Sequence, residues 1–230
     1  MKASAIFQAG TSPRRALAQT WHASRAWHVY ILATGLLLVL QAAGPPVALT
    51  LRFDRAAIFA GQWWRLFTAH AVHLSWSHCA LNVAGLWLVA AWCRAPLGAG
   101  RLFLYWAGLG GGISVLLLYA TQVPDYVGLS GVLYGLFVLV LLPQALRRDV
   151  PAALALLAVL GWAAWQGLAG PSVVEQALIG GYIVTAAHGF GIVLATAWVL
   201  CVGLLRGAGS GEVMRAGPRK RSETVIGRLG

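Results

Sequence analysis

Of 230 residues, 59% are hydrophobic and only 10% charged, and the mean hydropathy of +0.74 leaves too much apolar surface for a water-soluble domain. The formal charge of +11 does not mark a nucleic-acid binder: the basic residues sit at loop ends and in a Gly/Ser/Arg tail without aromatic interleaving, so topology and anionic headgroups account for them. Cys79, Cys93 and Cys201 fall in or at the ends of apolar runs, and an odd number cannot fully pair within one chain, so they read as small buried hydrophobes.

Residues 1–26 form a basic segment. The apolar stretch after it meets the Gly44-Pro45-Pro46 turn without a small-residue cleavage site, and so reads as an uncleaved first span. Apolar runs near the ~20 residues that cross a bilayer extend over Trp27 to Ala43, Trp76 to Cys93, Leu102 to Ala120, Ser130 to Leu146, Ala152 to Leu168 and Ala177 to Leu205. From Gly44 to Ser75 the chain is amphipathic, with Trp63 and Trp64 beside Arg65, a composition suited to the membrane interface. These elements predict an all-α membrane protein. It is a compact six-transmembrane-helix bundle in one domain over residues 27–206, with an interfacial loop between helices 1 and 2. The basic tail, residues 207–230, is predicted to be disordered.

An even number of spans leaves both termini on one side. That side collects Lys2, Arg14, Arg15, Arg25, Arg94, Arg101, Arg147, Arg148, Arg206 and the basic tail, while the other has only Arg52, Arg55 and Arg65. Because positive residues gather on cytoplasmic flanks, both termini are predicted to be cytoplasmic.

Polar groups inside a span are costly and point to function or to a wet cavity. Those picked out are His78 and Asn82 in the second run, Ser130 and Tyr134 in the fourth, and His188 in the sixth. Counting back from Arg94, Arg147 and Arg206 puts His78, Ser130 and His188 at roughly 24, 26 and 27 Å above the cytoplasmic charges, at one level toward the outer side. His78 with Asn82, and Ser130 with Tyr134, are each four apart and share a helix face. Gly131 with Gly135, and Ala187 with Gly191, are small residues at the same spacing, which lets the fourth and sixth helices approach closely. The segment from Thr121 to Leu129, with Pro124 and Gly128, must reach down to a helix that starts below the surface. Irregular backbone at that depth needs protein or water beside it.

These residues resemble the rhomboid proteases. The match runs through Trp63-Trp64-Arg65, His73, His78 and Asn82, then Gly128-Leu129-Ser130-Gly131 with Tyr134, then Ala187-His188 with Gly191, and covers roughly Gln62 to Thr196. The Gly-x-Ser-Gly tetrapeptide alone is weak evidence; the ordered set on three spans is specific. The resemblance implies an intramembrane serine endopeptidase without cofactor or metal. Ser130 is its nucleophile, His188 its general base, and the Ser130 N–H with His78 and Asn82 its oxyanion donors. Tyr134 stacks on His188, and Gly128, Gly131 and His73 support the site. It further implies membrane-protein substrates, a bacterial inner (cell) membrane, and a site opening to the periplasmic or outer side. The compact chain and the stretch from Trp165 through Gly170-Pro171 to Ile179-Gly180-Gly181 and Ala187-His188 resemble the rhombosortase subfamily. Its implied substrates are proteins with a C-terminal Gly-Gly-type sorting tail; Tyr134 departs from the His frequent there.

Plainer readings stand beside these. Ser130 on its own reads as a helix cap, His188 as a ring bonded to a carbonyl, Asn82 as a helix-to-helix hydrogen bond, and Tyr134 as packing. His70 and His73 read as structural or interfacial. Three other functions use the same residues: a haem or metal protein ligated by His73, His78 and His188, a non-catalytic relative that binds client membrane helices, and a polar-cavity transporter.

Overall fold

The computed structural model describes residues 13–93 and 97–215; the rest of both basic terminal segments lies outside the described residues. Ten α-helices and one two-stranded ribbon make up the described chain. Helix α1 (Pro13–Ala42) starts well before Trp27, so the expected boundary between segment and domain falls inside it. At the other end α10 (Thr185–Arg215) runs past Arg206.

Between α1 and the second apolar run come α2 (Pro45–Leu51), β1 (Phe53–Asp54), α3 (Arg55–Phe59), α4 (Arg65–Thr68) and a 3-10 turn at Ala69–Ala71. Gly44 at φ +79 followed by two prolines in the first turn of α2 explains why the chain turns there: proline suits helix starts and cannot continue α1. Two of the outer arginines hold this loop. Arg65 is buried and donates to the carbonyls of Leu49 and Arg52 and to Gln62 Oε1, so it is an internal strut while Trp63 and Trp64 remain exposed. Arg55 donates to the carbonyls of Leu117, Leu118, Thr121 and Val123, which caps the C-terminal end of α6 (Ala99–Ala120) with a cation.

Ser75 caps α5 (Trp76–Trp92) by accepting the His78 N–H at 3.1 Å. After α6, β2 (Asp125–Tyr126) pairs antiparallel with β1, Phe53 opposite Tyr126, and leads into α7 (Ser130–Ala145). Asp149 caps α8 (Val150–Ala169). The expected sixth run, Ala177 to Leu205, is two elements. Helix α9 (Val173–Ile179) carries a Ser172/Glu175 capping box and stops at Gly180, whose φ of +81 is a left-handed C-cap; α10 starts only at Thr185.

Helices α6, α8 and residues 185–205 of α10 are each long and apolar enough to cross a bilayer. Two bent pairs, Trp27–Ala42 with Pro45–Leu51 at 114° and Arg65–Ala71 with Trp76–Trp92 at 92°, raise this to five when each is one broken span. With 16 residues at ~1.5 Å each, α7 reaches roughly 24 Å, short of a ~30 Å core. Among the described residues, length and composition thus give three to five spans where the runs predicted six. Leu32, Phe103, Leu168 and Leu204 lie bare on the outside, as lipid-facing residues do. The interior is built around α7, which packs against α5, α6, α8 and, most extensively, α10. Leu86, Ile113, Leu117, Val132 and Leu136 fill it. Cys79 belongs to that core, but Cys201 is exposed on α10, contrary to its reading as a buried hydrophobe.

Candidate active site

Ser130 is the first residue of α7, and the backbone leading to it is pinned at several points. The Arg55 N–H donates to Pro124 O, the Gly128 N–H to Ala69 O (3.0 Å), and the Tyr126 hydroxyl to Gly128 O (2.7 Å). Gly128 has φ +119, and a Cβ there would lie 2.7 Å from the His78 ring, so backbone shape and space both demand glycine. As the first residue of a helix, Ser130 has a backbone N–H with no intrahelical acceptor.

Glycines set how near α10 comes to α7. A Cβ on Gly191 would collide with the Gly131 carbonyl, and one on Gly131 would lie 2.9 Å from the Ala187 carbonyl. At that separation His188, one turn into α10, reaches across: its Nε2 lies 3.0 Å from Ser130 Oγ. The Tyr134 ring, one turn below Ser130, stacks on the imidazole at a centroid distance of 4.5 Å and 26°. His188 is buried, and its Nδ1 has no protein partner.

On the facing helix α5, His78 and Asn82 are both buried and line the same cavity as Ser130, Tyr134 and His188. The Leu74 N–H points at His78 Nδ1 over a long 3.4 Å, which leaves the ring proton on Nε2 in the neutral tautomer. Asn82 Nδ2 donates one hydrogen to His78 O (2.9 Å) and keeps a second.

His73 does not line this cavity. Its ring stands edge-on to His78 at 5.1 Å and borders a second cavity of about 370 Å³ under the turn after α1. Burial, and then His78, lower its pKa to about 3. His70 lies elsewhere still: fully buried, it bonds through Nε2 to Gly110 O (2.8 Å) and Ser114 Oγ (3.0 Å) and ties the loop to α6. Burial lowers its pKa to about 4. Among the described residues no three His, Cys, Asp or Glu side chains gather at metal-ligand spacing.

The main cavity holds about 520 Å³ and has walls from α5, α7, α8 and the start of α10, with Trp162 of α8 and Leu81 of α5 among its lining residues. One of its residues was not picked out from the sequence. Gln166 of α8 is buried and polar, next to exposed Trp165, and faces the same space as Ser130. Its signal was available, as an uncharged amide inside an apolar run.

Chemically the arrangement joins a hydroxyl to an acceptor nitrogen, orients that ring by stacking, and sets unpaired N–H donors nearby. It is suited to nucleophilic acyl transfer. Comparison with known proteins agrees with this setting. The Rhomboid domain model matches residues 60–203. YdcA, a rhomboid-family protein of Bacillus subtilis, is 35% identical over 92 residues, which are 39% of this chain and 46% of YdcA. The rhomboid protease GluP of the same organism is 30% identical over 82 residues, 36% of this chain and 16% of GluP. The matched stretch thus spans less than half of either relative.

Proposed function

The chain belongs to the rhomboid family, and on that premise we propose that it is an intramembrane serine endopeptidase with Ser130 as nucleophile and His188 as general base. One observation carries the proposal: the Oγ and Nε2 of residues 58 apart in sequence are 3.0 Å from each other inside a cavity among apolar helices. In this reading α7 is the fourth of six membrane helices, added to the five that length and composition allow. It starts below the outer surface, so a site at its N-terminus opens to the periplasmic or outer side of a bacterial inner membrane, with both termini cytoplasmic. The outer loop with its half-exposed tryptophans rests in the interface.

The steps follow from the geometry. His188 Nε2 takes the Ser130 proton as Oγ attacks a peptide carbonyl carbon. The developing oxyanion is met by the Ser130 N–H, His78 Nε2–H and the second N–H of Asn82, at the positive end of α7. His188 returns the proton to the peptide nitrogen, the C–N bond breaks, and the amine half leaves. Water then attacks the acyl-Ser130 ester, giving its proton to His188; the ester C–O bond breaks, His188 returns that proton to Ser130 Oγ, and the carboxylic acid half is released. Tyr134 takes the orienting task that an aspartate performs in a triad. Gly128 leaves room for the His78 ring, Gly131 lets α10 approach, and His73 backs His78 from outside the cavity.

The substrate class is transmembrane segments of other proteins, entering between α5 and α8. Within it we infer the rhombosortase type, acting on C-terminal Gly-Gly-type sorting tails. What favours this is the glycine pair of that resemblance. Ser75 Oγ donates to Ile179 O (2.7 Å), and a Cβ on Gly181 would lie 2.9 Å from Leu74, so Gly180-Gly181 seats the α9 to α10 turn on the start of α5.

Co-expression with tagged membrane substrates, some bearing sorting tails, tests the proposal. Wild type is expected to cut and to label with a fluorophosphonate, and Ser130→Ala and His188→Ala to do neither. Equal cleavage by all three sinks the dyad. Wild type that captures substrate without cutting or labelling identifies a non-catalytic binder of client helices instead.

A further inference from the structure

Gln166 is one of three buried residues on α8, and the other two, Ala152 and Leu156, are apolar. A primary amide in a membrane helix is tolerated when it faces the protein interior or a wet cavity with its hydrogen bonds met. Half of that condition is satisfied within the chain. Gln166 Nε2 donates to Glu175 Oε1 at 2.8 Å. A carboxylate can only accept, so this bond fixes which end of the amide is which without reference to atom labels. Glu175 is itself held: its Oε2 accepts the Ser172 N–H (2.8 Å), and the Ser172 hydroxyl accepts the Glu175 N–H (3.1 Å). The Ser172 N–H, the largest influence, holds the Glu175 carboxyl below its usual pKa, so it stays an acceptor.

The carbonyl end is therefore aimed by a chain of bonds rather than free to rotate. Gln166 Oε1 is buried and has no protein donor, and the residue lines the cavity that holds Ser130, Tyr134 and His188. A buried acceptor without a donor is destabilising, and such groups persist where a ligand completes them. The ligand of this cavity, on the hydrolase reading above, is a polypeptide unwound from its helix. Its unwound backbone presents N–H groups that have lost their intrahelical acceptors.

We propose that Gln166 is a substrate-binding residue whose Oε1 accepts a hydrogen bond from one backbone N–H of the polypeptide held against Ser130, and that it thereby requires a free N–H at that position. This rests on the protease reading and adds to it a specificity element on α8. Proline or an N-methylated residue at the matching position is rejected.

The test is a double-mutant cycle between Gln166 and the substrate backbone. Its probe is a quenched-fluorescence peptide of Ala and Gly residues, N-methylated at one position at a time. Wild type is expected to lose about tenfold in kcat/KM at the matching position, the scale of one neutral hydrogen bond. In Gln166→Met, which has a similar shape and no acceptor, unmodified peptide is expected to be cut about tenfold less well, and the penalty at that single position is expected to vanish. Gln166→Lys separates binding from simple bracing: it keeps a donor for Glu175 but lacks the acceptor, and is expected to behave like Gln166→Met. Fluorophosphonate labelling of Ser130 and the thermal midpoint report folding of each variant. An unchanged N-methyl profile in labelled Gln166→Met overturns the inference and leaves the protease standing. Full activity of Gln166→Lys, or failure of both variants to fold, assigns Gln166 to bracing and overturns it too. Wild type that neither labels nor cuts overturns the protease reading itself.

Discussion

The Tyr134 ring lies flat against the His188 imidazole, 4.5 Å between centroids and 26° from parallel, while the other edge of the imidazole reaches Ser130. No acidic side chain bonds His188 Nδ1, so stacking is the contact that holds the ring in register. Tyr134→Phe keeps the stack and is expected to retain activity within about threefold, whereas Tyr134→Ala is expected to lose about tenfold or more in kcat, roughly the worth of an aromatic pair. Peptide cleavage measures both. A Phe variant as poor as the Ala variant would assign the role to the hydroxyl.

The dyad depends equally on the closeness of α7 and α10. A Cβ on Gly191 has no room against the Gly131 carbonyl, so Gly191→Ala must push the helices apart, an overpacking cost of about 1–3 kcal/mol. Gly189, two residues earlier on the same helix, has nothing within 4 Å of a built Cβ. The expected result is a lowered thermal midpoint and weak fluorophosphonate labelling for Gly191→Ala, and wild-type behaviour for Gly189→Ala. Equal behaviour of the two variants would contradict the packing argument.

The sequence made some of this legible and hid the rest for physical reasons. Membrane helices announce themselves by apolar length, and Ser130, His78 and His188 stand out because each is polar in such a run at one counted height. The four-residue spacing of Gly131 with Gly135 and of Ala187 with Gly191 foretold the close helix pair. The break at Gly180 was not legible: Ala177 to Leu205 reads as one apolar run, yet the left-handed φ of Gly180 opens a non-helical stretch that lasts until α10 starts at Thr185. Nor were Arg55 and Arg65, which look like loop charges. Arg55's acceptors are backbone carbonyls 62–68 positions away, and a carbonyl leaves no mark in a sequence. Gln166, beside Trp165 in an apolar helix, obeys the same rule that singles out Asn82.

The outer histidines predict acid sensitivity. His70 and His73 are neutral in the folded chain, with pKa values lowered by burial to about 4 and about 3, against 6.5 for an ordinary histidine. Below pH ~6.5 the unfolded chain therefore takes up protons that the folded chain refuses, until the pH nears the folded values. The stability these rings permit is full above pH ~6.5 and is lost as pH falls from there toward 4. The thermal midpoint in detergent is expected to drop by several degrees or more, at ~2–4 °C per kcal/mol, between pH 7 and pH 4. His70→Gln, which retains a donor for Gly110 O and has nothing to titrate, is expected to show a smaller drop. An identical pH slope in that variant would exclude His70 as a source.

His78 tests the oxyanion arrangement. Its Nδ1 faces the Leu74 N–H, so Nε2 carries the proton, and the ring borders the cavity across from Ser130. Asn82, one turn further along α5, has one amide hydrogen committed to His78 O and the other unspent. If both donors meet charge that exists only in the transition state, removing either should lower kcat and leave KM nearly unchanged. His78→Ala is expected to cost about 10²–10³-fold in kcat, the usual loss for one oxyanion donor, and Asn82→Ala somewhat less because the Ser130 N–H and His78 remain. Because they serve one oxygen, the double variant should lose less than the product of the two single losses. Both single variants should still label with fluorophosphonate, more slowly, since Ser130 and His188 are intact. A rise in KM at constant kcat would instead make His78 and Asn82 a ground-state binding pair, and the oxyanion would then rest on the Ser130 N–H alone.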